Sequence, residues 1–193
     1  ARSADKAFEI ALSRANHDVE ALTRLQLQIE QLALPIQRPD DMLSRDYTNA
    51  LIVEAESSGS AELCARLYDA LLIAHSMRGE LETAHYYGEL ALSHWRRLDN
   101  KARIAFTAFY LMDAFQRGDD HEQAQSYLEL SRDMFAHTSE PAQYVIMAYG
   151  QAVHNNGTGA PTAARQWCDI GLRELSQLER PYPRNYYMAA FYH

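Results

Sequence analysis

Apolar positions along this chain recur at three- and four-residue steps, the spacing of one face of an α-helix, in block after block. Small, aromatic and small residues stand at Ala84, Tyr87 and Ala91, which are i, i+3 and i+7 of one helical face. The same arrangement returns 40 residues later at Ala124, Tyr127 and Ser131, and after another 40 at Ala164, Trp167 and Gly171. Fainter copies lie upstream at Ser44, Tyr47 and Leu51 and at Ala4, Ala7 and Ala11. Small residues let two helix backbones approach, and the aromatic between them fills the groove left by its neighbours. Tyr47, Tyr87, Tyr127 and Trp167 are therefore expected in the stacking core.

This periodicity predicts helices over 3–15, 18–34, 40–57, 60–78, 80–98, 101–117, 119–135, 139–156, 160–178 and from 184 onward. The breaks between them hold the residues that end helices: Pro35 and Pro39, Ser57-Ser58-Gly59-Ser60, Asp99-Asn100, Ser139-Glu140-Pro141, and Pro181 with Pro183. Gly79 and Gly118 stand ahead of the first two strong copies, each followed by an acidic residue. Both glycines are expected to take the left-handed conformation that closes a helix, with the acidic residue opening the next one. The third copy has Gly157-Thr158-Gly159-Ala160 in that place, with Pro161 suited to a first helical turn. Each unit thus reads as a helix, a glycine turn and a second helix. The expectation is an all-α right-handed superhelical solenoid of antiparallel helix pairs, one continuous array over 1–193 without a linker.

The residues that carry this pattern also carry a family resemblance. The stretch from Tyr68 to Leu92, with Leu71, Leu72, Gly79, Ala84, Tyr87, Ala91 and Leu92, resembles a tetratricopeptide repeat. Ala148-Tyr149-Gly150-Gln151-Ala152 followed by Gly157 is similar to the small residue and turn glycine of that family's first helix. The likeness covers 60–178 well and 1–59 weakly. The chain departs from the family in three ways: its period is 40 rather than the usual 34, no Trp marks the first helix, and the helix-ending Pro is mostly absent. Units of this greater length resemble the sensor regions of large bacterial signalling ATPases that activate transcription, of the maltose-regulon activator type. The resemblance implies a non-catalytic module that binds a protein, a peptide or a small-molecule inducer, and the two cysteines, read as reduced thiols, lead to the expectation of a cytoplasmic setting. A stand-alone adaptor holding a peptide of a partner protein is the alternative. The final segment, Tyr186 to Tyr192, is strongly apolar and lacks a polar cap. It is read as a stacking face, so the array is expected to continue past His193, and the array ends could support self-association.

Composition narrows the picture further. With 193 residues, 47% hydrophobic and 23% charged, the chain can bury a core, and no apolar run is long enough for a bilayer span. Cys64 and Cys168, far apart within helical patterns, read as reduced thiols. A net charge of −8 argues against nucleic-acid binding by this segment, since a phosphate backbone rewards clustered Lys and Arg.

Catalytic signatures are hard to find. The eight histidines form no HExxH and the two cysteines no zinc-ligand pair, and no glycine-rich phosphate loop occurs, so no metal and no cofactor are expected. His17-Asp18 resembles the metal-binding dipeptide of phosphohydrolases without the further ligands such a site needs. Arg132 and His137 match the short R-D-x-x-x-H string of helical ribonucleases, which makes RNA cleavage a remote alternative. Basic residues at that place more simply suit the end of a helix.

The tetratricopeptide resemblance implies that function lies on the concave face of the array, which in that family is lined mainly by the first helix of each unit. Mapping that family's groove positions onto this chain by the turn glycines implies Arg66, Asp69, Ile73 and Ser76 there, then Met112, Phe115 and Gln116, then Tyr144, Gln151, His154 and Asn155. A lining of mixed apolar and polar character suits a peptide, an amphipathic partner helix or a small polar ligand.

Overall fold

The computed structural model describes residues 21–33, 44–139 and 142–177. The regular structure there is entirely α-helical: α1 (Ala21–Ala33), α2 (Arg45–Ser57), α3 (Ala61–Met77), α4 (Leu81–Arg97), α5 (Lys101–Arg117), α6 (His121–Phe135), α7 (Gln143–Gly157) and α8 (Pro161–Gln177). The expected helices over 3–15 and from 184 onward, and the copy at Ala4, Ala7 and Ala11, lie outside the described residues. Consecutive helices pack as pairs, α3 with α4, α5 with α6 and α7 with α8. The chain divides into two compact units, Ala1–Leu98 and Asp99–His193. In the first, α1 and α2 pack on α3; in the second, α7 packs on both α5 and α6. None of the helices among the described residues is long and apolar enough to cross a membrane.

The second helix of each pair is amphipathic and buries one narrow stripe. In α4 the stripe is Ala84, Gly88, Ala91, Leu92 and Trp95; in α6 it is Ala124, Leu128, Ser131 and Phe135; in α8 it is Ala164, Gly171 and Leu175. Thr48, Leu51 and Ala55 of α2 fall in the same register, 40 residues before Gly88, Ala91 and Trp95. The upstream copy is therefore genuine, but Ser44 is not part of its packing face. Its side chain accepts from the Tyr47 amide and caps α2, which begins at Arg45 rather than at residue 40. The aromatic of each copy sits at the edge of the stripe: Tyr47, Tyr87, Tyr127 and Trp167 are half-buried, not core. Ser131 pairs closeness with polarity, donating to the Ala105 carbonyl at 2.8 Å in the buried interface of α6 with α5. The first helices are buried more broadly, α3 most of all, with Leu67, Ala70, Leu71, Leu72 and Ala74 each at most 1% exposed.

The turns inside the pairs share one geometry. At α3–α4 the amides of Gly79 and Glu80 donate to the carbonyls of Ser76 and His75; at α5–α6 those of Asp119 and Asp120 donate to Gln116 and Phe115; at α7–α8 those of Gly159 and Ala160 donate to Asn156 and Asn155. These are Schellman closures, and each needs one left-handed residue. Gly79 (φ 74°) and Gly159 (φ 78°) supply it. At α5–α6 the expectation needs correction: Gly118 has φ −89° and the left-handed residue is Asp119, at φ 59°. Gly118 comes one position too early for the motif, and Asp is among the few other side chains that tolerate this region. The next helix then starts on a cap, with Asp120 accepting from the Gln123 amide at 3.1 Å.

Candidate functional site

The first unit holds Arg66, Asp69, Ile73 and Ser76 on successive turns of α3. Arg66 is exposed and pairs with Glu62 at 2.9 Å and with Glu30 of α1 at 3.7 Å. Asp69 is buried beneath α4, where it accepts from the Trp95 indole nitrogen at 2.9 Å. Ile73 is half-buried, and Ser76 is buried with its hydroxyl lacking a partner. Three of the four thus face the packing between helices more than solvent. The reason is that α3 is covered by α1 and α2 as well as by α4.

Beside them runs a row of rings that sequence reasoning had assigned to the core or passed over. Tyr87 of α4 stacks on His75 (centroids 5.5 Å) and on Tyr68 (6.1 Å), both from α3, and Tyr68 meets His94 at 5.5 Å. Carboxylates hold two of these rings. Glu80 holds the His75 imidazole, and Glu56 accepts from the Tyr68 hydroxyl at 3.4 Å. The hydrogen bond from His75, with the charges of His75 and Arg78 adding to it, keeps Glu80 below its ordinary value. Burial first, then Glu56, pushes Tyr68 up to about 12. The signal in the sequence was the seven-residue step from Tyr68 to His75, which puts both rings on one face of α3.

In the second unit Met112 is fully buried in the core with Phe109, Leu128 and Ile146, so its side chain belongs to helix packing. Phe115 is half-buried and stacks on Tyr127 with centroids 5.5 Å apart and planes 12° from parallel. This pair repeats His75 and Tyr87 one 40-residue step later. Tyr144 is exposed in the first turn of α7. Gln151, His154 and Asn155 are half-buried, and Asn155 turns back to donate to the Gln151 carbonyl at 2.7 Å.

Gln116 and His154 are brought together, and the structure adds His121. Gln116 is 8% exposed, and its carboxamide lies between the two imidazoles, with Nε2 3.0 Å from His121 Nδ1 and Oε1 3.3 Å from His154 Nδ1. The rings meet edge to face with centroids 6.4 Å apart. Burial first, then the neighbouring His121, holds His154 below the usual histidine value. Gly157, the last residue of α7, makes room for the amide: a Cβ there would stand 1.9 Å from Gln116 Nε2. Sequence reasoning took this glycine as part of the turn. No local pattern links His121 to the others, because it reaches them from the first position of α6.

The remaining chemistry is sparse. Arg132 and His137 are both exposed; Arg132 approaches Asp133 at 3.8 Å, and His137 Nδ1 is 2.7 Å from the Asp133 carbonyl. Burial raises the thiols of Cys64 and Cys168 above their ordinary value, so both are protonated at neutral pH. Among the described residues no three His, Cys, Asp or Glu side chains are grouped to hold a metal ion. His17-Asp18 lies outside the described residues. No known family, curated protein or solved structure matches the chain.

Proposed function

We propose that this chain is a non-catalytic binding module of the tetratricopeptide type, serving as a ligand- or partner-sensing region of a bacterial transcription regulator. The observation that carries the first half is the repeat itself. Helix pairs 40 residues apart share a buried stripe, an aromatic stack and a Schellman turn. Pairs built to one plan bury their stacking faces and leave one helix face of each unit to vary, which is how such repeats recognise peptides and small ligands. The second half rests on repeat length, which resembles that of the sensor regions of signalling ATPases.

On this reading the polar face of α7, with Gln151 and His154 beside exposed Tyr144, is the best-presented part of the binding surface. Hydrogen exchange during a screen of small metabolites and peptides is the test. A true ligand slows exchange along α7 and raises the melting temperature, and Tyr144→Ala with Gln151→Ala abolishes both effects. Protection confined to the outer faces of α4, α6 and α8 would refute the assignment. The flanking reading frame tests the regulatory role. A P-loop ATPase before the segment and a helix-turn-helix after it support the sensor, whereas a frame closing beside His193 supports a free adaptor.

A further inference from the structure

Gln116 imposes a rule on the two histidines it joins. A carboxamide has one donor end and one acceptor end. The imidazole facing the NH2 group must accept at Nδ1, and the one facing the oxygen must donate from Nδ1. Turning the amide over exchanges the roles without changing the count. One Nδ1 proton fits between the rings and two do not, because an imidazolium carries a proton on both nitrogens. A second proton confronts an N–H with an N–H at a residue that is 8% exposed and whose amide is backed by Gly157. The three side chains come from three helices, α5, α6 and α7, at the end where the α5/α6 pair meets the α7/α8 pair.

We propose that Gln116, His121 and His154 form a proton-sensitive latch between these two helix pairs, closed while at most one imidazole is charged and opened when both are. The surrounding charges leave this control to the pair. From α5 comes Asp113, already bound to Arg117 at 2.9 Å. From the α5–α6 turn come Asp119 and Asp120, the latter occupied as the cap of α6. Glu122 on α6 and Arg165 on α8 are exposed. Apart from His154, α7 contains no Asp, Glu, Lys, Arg or His. The sign follows from His154, which is held below its ordinary value. The latch contributes fully above the unfolded histidine value and is lost as pH falls through the folded one.

Gln116→Glu is the decisive variant, since a carboxylate accepts from both imidazoliums. In the native chain, imidazole titration followed by NMR should show the second proton taken up roughly tenfold or more weakly than the first. Amide exchange at the end of α7 should quicken relative to the variant as both rings charge. In Gln116→Glu both midpoints move up, and acid no longer loosens α7. If that variant does not fold, His121→Phe leaves Oε1 to His154 alone, and the His154 midpoint should return toward the ordinary value. Two histidines titrating independently in the native chain, or an acid response that persists unchanged in either folded variant, would overturn the latch.

Discussion

Single side chains in this protein are used where a small polar group must sit among apolar neighbours. Trp95 is 1% exposed and Asp69 is 4% exposed, and the indole N–H supplies the carboxylate with a donor across the α3–α4 interface. Trp95→Phe keeps most of the packing and removes that donor, so it should lower stability by about 1–3 kcal/mol in chemical denaturation. Glu80 sets a pH dependence of its own. Its folded value lies below the unfolded one, so its contribution is present above the unfolded carboxylate range and is lost as pH falls through the folded value. Glu80→Gln should lower the neutral plateau of a melting-temperature profile toward the acid value and so flatten its acid limb. Neither partnership was legible from sequence. Asp69 was placed in the groove and Trp95 was unassigned, because a hydrogen bond across 26 positions leaves no local trace.

Elements are where sequence and structure agree best, apart from the late starts of α2 and α7 and one residue of phase at the α5–α6 turn. The 40-residue step gives the pairing of α3 with α4, α5 with α6 and α7 with α8, with most ends within two residues of expectation. The turn glycine was misplaced only at α5–α6, where Gly118 precedes the left-handed Asp119. That distinction is measurable: Gly159→Ala should cost roughly 1–2 kcal/mol, and Asp119→Gly should be neutral or stabilising by up to about 1 kcal/mol in thermal unfolding. Gly150 brings α7 close to α5 and α6, with Leu128 Cδ1 2.8 Å and Met112 Cε 3.2 Å from where a Cβ would lie. An alanine could be absorbed by those flexible side-chain ends. Gly150→Leu would have to push α7 off both α5 and α6, and should speed amide exchange throughout α7 and α8.

For the molecule as a whole, fold class was legible and the site only partly so. Helical periodicity reports which face is buried, but not how deeply a first helix is covered by elements on its other sides. For that reason Asp69, Ser76 and Met112 were counted toward a groove and are buried, while Arg66 and Tyr144 are exposed. Gln116 and His154 emerged as one cluster, although the third member, His121, did not. The net charge of −8 bears on partners: duplex DNA at physiological salt should not be retained by the chain in a mobility assay. The tight seat of Gln116 against Gly157 also bears on how the protein ages. A Cβ at 157 would displace the Gln116 amide from this seat, and the residue before it is Asn156, so the contact goes with an Asn–Gly bond at the end of α7. Once the backbone leaves the helical ladder, the Gly157 nitrogen can attack the Asn156 side-chain carbonyl carbon and expel ammonia, and water then opens the resulting succinimide to aspartate or isoaspartate. The covalent lifetime of the chain is thereby tied to how firmly the last turn of α7 stays wound.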